Sequence, residues 1–305
     1  MKCYLKVICF SIVIFSCEKK ELEIFKIIDP SWTLKELNFN HNGQERGYNL
    51  YKPKFLTENS PLVLLLHGQK SNVNDIMEYS AMNTVADNGN FMVCYPQGSI
   101  SPITNNSHWN SNLEISDIDD VDFLSKLALK IQKDFNLNRE NIFVAGMSNG
   151  GFMAYTIACE KPDIFNSIAS VAGTMSGYDW KNCSPIERIP VLQISGTKDM
   201  TVPYDGSMDT KYGWGGAPNI EKVIKFWSDL NLCSKEEIVN FNDINKSDES
   251  TVELSKKIGK DGKIEVWFYK IIGGGHDWPG WTRNWGNKDI NTSSEIWKFF
   301  KKHLR

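Results

Sequence analysis

Five short apolar runs alternate with segments of helical length through the middle of this chain, and this alternation most constrains its fold. A run that is apolar at every position predicts a strand covered on both faces, as in a parallel sheet. Strands that alternate with helices are joined by right-handed crossovers. The sequence therefore predicts an α/β fold with a doubly wound, mostly parallel sheet and helices on both faces. The five runs are residues 61–66, 91–95, 142–145, 168–171 and 191–194.

The flanking segments predict the remaining elements. Residues 121–135 and 293–304 each place apolar side chains on one helical face. A first hairpin is expected around the turn His41-Asn42-Gly43. A late hairpin, residues 251–258 and 264–272, is expected to supply the final strand of the sheet, and the polar stretch 235–249 is expected to be a surface loop.

The string Gly146-Met147-Ser148-Asn149-Gly150 directly follows the third apolar run and precedes a helix-forming segment. This context is typical of a nucleophile elbow, in which a sharp strand-to-helix turn exposes a serine hydroxyl. Small neighbours are needed because the backbone turns tightly there. A Gly/Ser/Asn loop is the alternative for so short a motif, and the residues that follow other strands decide against it. Ser148 is the candidate nucleophile.

A serine nucleophile needs a base and a group that orients the base. Ligands of such sheets bind at the carboxyl ends of the strands, so both groups are sought directly after strands. His276 follows the last predicted strand through a run of three glycines and is the candidate base. Asp199 lies on the loop after the 191–194 strand and is the candidate orienting acid. Stabilisation of a turn before Val202-Pro203 is the alternative role for this aspartate.

The turn His67-Gly68-Gln69 follows the first apolar run. It predicts one oxyanion donor, the N–H of Gln69, with the N–H of Asn149 as the second. His67 itself is expected to be a buried structural residue. His41 and His303 are expected to be solvated, and His108 is left open between a pocket and a loop. Three carboxylates at a helix start are expected to cap it: Asp119, Asp120 and Asp122.

With these residues in the order serine, aspartate, histidine, the chain resembles the polyhydroxybutyrate depolymerase and feruloyl esterase family of α/β-hydrolases. A histidine followed closely by Trp-Pro-Gly, after a glycine run, is the most specific string. The resemblance spans nearly all of the predicted domain. The strings that carry it are Leu66-His67-Gly68, Tyr95-Pro96-Gln97-Gly98, Trp109-Asn110, Asp119-Asp120-Val121, Gly146-Met147-Ser148-Asn149-Gly150-Gly151, Gly196-Thr197-Lys198-Asp199, Val202-Pro203-Tyr204 and Gly274-Gly275-His276-Asp277-Trp278-Pro279-Gly280.

The resemblance implies the α/β-hydrolase fold and a serine esterase that uses no metal or organic cofactor. It implies hydroxyalkanoate or hydroxycinnamate esters as substrates, often those that decorate plant polysaccharides. Many relatives carry further glycine or cysteine where Gln69-Lys70-Ser71-Asn72 follows here, so the rim of the oxyanion hole is expected to differ. Many also carry cysteine where His108 precedes Trp109, so no disulfide is expected there.

We therefore expect two-step hydrolysis through an acyl-enzyme on Ser148, with His276 as base and Asp199 orienting it. The expected substrates are hydroxycinnamoyl or acetyl esters of plant polysaccharide, or short polyhydroxyalkanoate esters. Three tryptophans, Trp109, Trp278 and Trp281, are expected as pocket walls for an aromatic acyl group or a sugar, with buried packing as the alternative. A serine peptidase of the same fold and a non-catalytic, glycan-binding envelope lipoprotein are the competing functions.

The N-terminus predicts export. Lys2 and Lys6, the apolar residues 7–15 and the small Ser16 have the order of a signal peptide, assigned to residues 1–16. The string Ile14-Phe15-Ser16-Cys17 resembles a lipobox, although Phe15 is unusual there, and makes Cys17 the expected lipidation site. Residues 17–31 are then a tether and residues 32–305 a single catalytic domain. An outer-membrane lipoprotein is favoured over a freely secreted protein.

Charge and cysteines limit the partners. The net charge is −3 without a basic cluster, so no nucleic-acid partner is expected, and membrane attachment is expected only through the lipid. An oxidising compartment permits a disulfide, and Cys183 with Cys233 is the favoured pair because both lie in polar surroundings. Cys94 and Cys159 are expected to be small buried residues. No cysteine spacing indicates a zinc site, and the sequence leaves the oligomeric state open.

Overall fold

The computed structural model describes residues 25–283 and 286–305. The predicted signal peptide, Cys17 and most of the tether therefore lie outside the described residues. Residues that precede Trp32 already contact the domain. The Ile28 N–H donates to the Leu56 carbonyl and the Glu58 N–H donates to the Lys26 carbonyl, each at 2.8 Å. Within the described ranges, every helix is too short or too polar to cross a bilayer.

Twelve strands and seven α-helices make up the described chain. The strands are β1 (Leu34–His41), β2 (Gln44–Tyr51), β3 (Leu62–Leu66), β4 (Met92–Pro96), β5 (Ser99–Ile100), β6 (Ser107–His108), β7 (Ile142–Met147), β8 (Ser167–Val171), β9 (Val191–Gly196), β10 (Cys233–Asn240), β11 (Thr251–Gly259) and β12 (Glu265–Ile272). The helices are α1 (Val73–Ser80), α2 (Met82–Gly89), α3 (Asp120–Asp134), α4 (Asn149–Glu160), α5 (Gly177–Asn182), α6 (Ile220–Leu230) and α7 (Thr292–Lys302).

Ten of the strands form one sheet in the order β1-β2-β4-β3-β7-β8-β9-β12-β11-β10. The six central strands, from β4 to β12, are parallel. Antiparallel strands extend the sheet at both edges. The prediction of a mostly parallel, doubly wound sheet is confirmed.

Both faces of the sheet are buried, which explains the continuous apolar runs. Along β3, Leu62, Leu64 and Leu66 face a core that includes residues of α3, α4 and α6. The alternate residues Val63 and Leu65 face a second core that includes residues of α1, α2 and α7. A strand between two helical layers has no solvated face, so its sequence shows no polar alternation.

The end of the sheet differs from the sequence expectation. The late hairpin forms as β11 and β12, but β12 lies inside the sheet and is not its final strand. Residues 235–240, expected in a surface loop, belong to the edge strand β10, which pairs only with β11. This strand reads as a loop because Lys235, Glu236 and Glu237 are exposed, and charged side chains on an edge strand discourage pairing with another chain.

The disulfide expectation is wrong. Cys183 bonds to Cys159, not to Cys233. Cys159 lies in the last turn of α4, and Cys183 is the C-cap of α5, which packs against α4. Cys233 begins the edge strand β10 instead, where its thiol donates to the Lys257 carbonyl. The two cysteines are 24 residues apart in sequence, and the packing of their helices brings them together. The polarity of the neighbouring residues therefore does not predict which cysteines form the disulfide.

We predict that Cys159→Ala combined with Cys183→Ala lowers the free energy of unfolding by about 3 kcal/mol. Without the cross-link the unfolded chain has more conformational entropy, because the loop between the two cysteines is no longer closed. Urea denaturation of the oxidised protein measures the change. Cys233→Ala is the matched control and should cost less than about 1 kcal/mol, since its side chain is only half-buried. A tryptic map in which Cys183 is linked to Cys233 would contradict the assignment.

Candidate active site

The predicted site residues converge on the carboxyl edge of the parallel sheet. His67 follows β3, Ser148 follows β7, Asp199 follows β9 and His276 follows β12. These strands lie in the order β3-β7-β8-β9-β12, so their carboxyl ends share one edge. Open α/β sheets bind ligands at this edge.

Ser148 occupies the turn between β7 and α4 with φ 53° and ψ −120°, a conformation that L-residues rarely adopt. Its N–H donates to the Val171 carbonyl at 2.8 Å, and the Gly151 N–H donates to its carbonyl at 2.8 Å. A Cβ on Gly146 would lie 2.3 Å from the Gly150 backbone, and one on Gly150 would lie 2.4 Å from the Leu66 carbonyl oxygen. The two glycines therefore permit a close crossing that holds the serine in the strained geometry of a nucleophile elbow.

Asp199 and His276 are joined directly. The imidazole Nδ1 lies 2.8 Å from Asp199 Oδ2. The other carboxylate oxygen accepts the N–H groups of Thr201 and Val202, each at 2.8 Å. Asp199 thus both stabilises the turn and holds the histidine, so the two alternatives for this residue coexist. The carboxylate is almost fully buried, whereas the imidazole is about one-fifth exposed.

Close backbone packing sets this pair in place. A Cβ on Gly196 would lie 2.4 Å from the carbonyl oxygens of Gly274 and Gly275, so the loops after β9 and β12 touch at this glycine. The Lys198 N–H donates to the Gly274 carbonyl at 2.8 Å, and the Gly273 N–H donates to Thr197 Oγ1 at 2.9 Å. The glycine run before His276 therefore allows the loops after β9 and β12 to pack closely against each other.

The turn after β3 lies beside Ser148. A Cβ on Gly68 would stand 3.4 Å from Ser148 Cβ, and Gln69 lines the same cavity as the serine. Asn149 is the first residue of α4, so its N–H has no acceptor within the helix and lies at the positive end of the helix dipole. The backbones of Gln69 and Asn149 thus come from two segments that meet at the serine.

Trp109 is fully buried and is not a pocket wall, contrary to expectation. Its indole N–H donates to the His67 carbonyl at 2.9 Å. Its backbone N–H donates to Asn149 Oδ1 at 2.7 Å, and Asn149 Nδ2 donates to its carbonyl at 2.9 Å. Trp109 therefore holds together the two segments that flank Ser148, which a sequence without contacts does not reveal.

His67 is fully buried beneath the same turn, as expected. Its Nδ1 lies 2.7 Å from the Gly68 carbonyl, and the Gly98 N–H donates to its Nε2 at 2.9 Å. This pattern assigns the proton of the neutral ring to Nδ1. Burial lowers the pKa of His67 to about 4, so the ring is neutral at pH 7 and holds the turn by hydrogen bonds without charge.

A buried ion pair supports this network and was missed at the sequence level. Arg46 lies 2.8 Å from Asp120, whose other carboxylate oxygen accepts the Asn110 N–H at 2.8 Å. Asp119 caps α3 as expected by accepting the Asp122 N–H, so Asp120 is not needed as a cap. Two adjacent aspartates before a helix were the only local signal that one of them has another role.

Three other histidines are also structural. His41 and His303 are buried, contrary to expectation: His41 bonds to Asp122 at 2.7 Å, and His303 Nδ1 bonds to the Phe299 carbonyl. His108 is fully buried between the Ser99 carbonyl and the Ser116 hydroxyl and does not line a pocket.

Two cavities open at the carboxyl edge. The Ser148 cavity, of about 470 Å³, is lined by Gln69, Ser148, Phe152, Met200, Met208 and Trp214 among others. The His276 cavity, of about 490 Å³, is lined by Tyr79, Met147, His276, Asp277, Trp278 and Trp281 among others. No hydrogen bond joins Ser148 to His276 in the described chain. Catalytic hydrogen bonds of this kind are often long without substrate and shorten when it binds.

Comparison with known proteins places this sequence in a family. A family model described as "Esterase PHB depolymerase" matches residues 46–224, which carry the turn after β3, Ser148 and Asp199. NocK of Nocardia uniformis subsp. tsuyamanensis, a protein named as an esterase, is 27% identical over 79% of this chain and 72% of its own length. Feruloyl esterase B of Piromyces equi is 25% identical over 71% of this chain, and this chain spans 39% of that protein.

Among solved structures, the acetyl xylan esterase of Aspergillus awamori superposes with a TM-score of 0.60 at 15% sequence identity. The superposition covers 89% of this chain and 100% of the other. At this identity the likeness establishes a common fold.

We predict that His67→Gln lowers the free energy of unfolding by about 1–3 kcal/mol at pH 7.5, because buried hydrogen bonds are lost, and reduces kcat/KM with a methyl ester. The stability gap to the parent should narrow as the pH falls from about 6.5 to about 4. In that range the unfolded parent binds a proton at this histidine and the folded parent does not, so acid removes the contribution of the neutral ring. Urea titrations at stepped pH measure the gap.

The control for this prediction is His303→Gln. Burial also lowers the pKa of His303 to about 4, but the residue ends α7, away from the turn that flanks Ser148. It should show the same narrowing of the stability gap with unchanged kcat/KM. A gap that widens for His67→Gln as the pH falls would show that the ring is charged in the folded protein.

Proposed function

This chain belongs to the esterase PHB depolymerase family, and on that premise we propose that it is an exported serine esterase acting on esters of plant polysaccharides. It is a carboxylic ester hydrolase by family. The nucleophile is Ser148, the base is His276 and the orienting acid is Asp199. The observation that carries this assignment is the partly buried Asp199–His276 hydrogen bond at the edge of the sheet that also carries the Ser148 elbow.

In the first step His276 Nε2 takes the proton of the Ser148 hydroxyl as the oxygen attacks the ester carbonyl. The tetrahedral intermediate collapses when the imidazolium returns the proton to the leaving alcohol oxygen. Water then repeats both steps on the acyl-enzyme and releases the acid. Because Asp199 accepts from Nδ1, it keeps Nε2 free to act as base and stabilises the imidazolium.

The N–H groups of Gln69 and Asn149 bind the oxygen that becomes negative. One such donor is worth on the order of 100- to 1,000-fold in turnover in a well-studied protease. Both donors are backbone groups here, so the shape of the turn controls their aim. Trp109, His67 and the Arg46–Asp120 pair hold that shape.

Feruloyl esterase B supports a hydroxycinnamoyl ester as the substrate class. Aromatic side chains line both cavities next to the proposed triad, which suits a ligand with a planar ring or a sugar. Acetyl esters of polysaccharide and short polyhydroxyalkanoate esters are the other acyl classes to compare. Faster cleavage of peptides than of esters would assign the chain to the peptidases instead.

Export is supported by two independent features. Residues 1–17 have the pattern of a lipoprotein signal. The Cys159–Cys183 disulfide requires an oxidising compartment, which a reducing cytosol does not provide. We assign Cys17 as the lipidation site and the outer membrane as the location.

We predict that Ser148→Ala lowers kcat/KM for methyl ferulate by at least about 10⁴-fold, and that Asp199→Asn lowers it by about 10²- to 10⁴-fold, because the histidine then loses its anionic partner. Steady-state hydrolysis measures both. Asp205→Asn is the matched control, since that carboxylate is exposed and bonds only within its own turn. A fluorophosphonate should label the parent at Ser148, and an unlabelled Ser148 in native protein would refute the esterase mechanism.

We predict that Cys17→Ala moves the protein from the membrane fraction to the soluble fraction, because the acylated cysteine is its only proposed anchor. Fractionation of cells and detergent partitioning measure the shift. Cys3→Ala, which changes a cysteine within the signal, is the control and should leave partitioning unchanged. Membrane retention of the Cys17 variant would count against lipidation.

A further inference from the structure

We propose that the two cavities divide the ester between them, so that the Ser148 cavity holds a bulky acyl group and the His276 cavity holds a sugar as the alcohol. This inference rests on the proposed function. It assigns a ligand class to each half of the site and predicts that the two halves of the substrate are selected by different residues.

The direction follows from the chemistry of acyl transfer. The carbonyl oxygen must face the oxyanion donors, and the leaving oxygen must reach the base that protonates it. Gln69 and Ser148 line one cavity, whereas His276 lines the other. The alcohol half of the ester must therefore extend from the imidazole into the His276 cavity. The acyl half, bonded to Ser148 Oγ in the intermediate, extends into the cavity of the serine.

The His276 cavity has the composition of a sugar site. The ring of Tyr79 lies 5.7 Å from Trp278 and 5.9 Å from Trp281, so three aromatic rings form one wall. Flat apolar rings suit the C–H faces of a sugar, and polar groups are needed for its hydroxyls. Asp277 lines the same cavity and supplies such a group.

The carboxyl group of Asp277 fits a neutral polyol. It is largely buried next to His276, and burial raises its pKa to about 6. The ionised form of this carboxyl group accepts hydrogen bonds from sugar hydroxyls, and its protonated form also donates one. Trp278 is the buried member of this wall, whereas Trp281 and Tyr79 are partly exposed, so these two rings present the faces available to a ligand.

The Ser148 cavity is apolar at its base and adaptable at its rim. Phe152 is fully buried and packs edge-on against Trp214 at 5.3 Å. Met200, which is 89% exposed, and Met208 line the opening, and unbranched thioethers adjust to planar ligands. A volume of about 470 Å³ is within the range of small-molecule pockets and far exceeds what an acetyl group fills. This cavity is suited to a hydroxycinnamoyl group.

The test uses three esters that differ in one half at a time: methyl ferulate, 5-O-feruloyl arabinose and 5-O-acetyl arabinose. Trp281→Ala should lower kcat/KM for feruloyl arabinose about three- to tenfold, mainly through KM, and change methyl ferulate less than about twofold. Met208→Ala should lower kcat/KM for both ferulates about three- to tenfold and leave the acetyl ester within about twofold. Trp32→Ala, at a partly buried ring packed on Phe135, is the matched control.

Tyr79→Leu is a second variant on the alcohol side, to be used if Trp281→Ala does not fold. It should show the same pattern that is predicted for Trp281→Ala. Equal losses on methyl ferulate and feruloyl arabinose in the alcohol-side variants would overturn the division. A Met208→Ala effect that follows the sugar rather than the acyl group would also overturn it, since the ester would then lie in the opposite direction. If the parent hydrolyses none of the three esters, the proposed function itself fails.

Discussion

The carboxyl edge of the sheet depends on one close approach, that of helix α4 to strands β3 and β7. At the crossing the two glycines of the elbow leave no room for a side chain, since Gly150 packs against the Leu66 carbonyl and Gly146 against Gly150. This contact forces the positive φ of Ser148, a conformation that costs about 1–3 kcal/mol and persists only when surrounding structure fixes it. The same approach brings the start of α4 and the turn after β3 together at the serine hydroxyl.

The interior behind that edge contains buried polar side chains. Their hydrogen bonds fix the direction of the backbone N–H groups beside Ser148. Three buried side chains form hydrogen bonds with backbone groups near Ser148: those of His67, Trp109 and Asn149. Arg46 and Asp120 form a buried pair behind them and bond to the next residue, Asn110. Removing one partner of such a pair is strongly destabilising because the other charge stays buried. The network therefore links the geometry of the proposed oxyanion donors, the N–H groups of Gln69 and Asn149, to the stability of the domain.

The sequence predicts those features whose cause is local. Continuous apolar runs predict the parallel strands because burial on both faces makes every position apolar. Because Asp199 and His276 each directly follow a predicted strand, the sequence also predicts that both lie at the carboxyl edge of the sheet. The missed features depend on contacts between distant segments. Cys159 meets Cys183 because two helices pack, β10 pairs although its residues are charged, and Trp109 is buried although its neighbours are polar. No local pattern distinguishes these outcomes from their alternatives.

The order of the strands also explains why the two halves of an ester would meet different parts of the chain. Two strands, β8 and β9, separate the strand that ends at Ser148 from the strand that precedes His276. In the proposed mechanism the loop after β12 must fold back over the sheet to bring His276 to Ser148. The same loop carries Asp277, Trp278 and Trp281. The wall around Ser148 comes instead from α4 and from residues 200–214. Substitutions in one segment can therefore change selectivity for the alcohol without moving the residues that contact the acyl group.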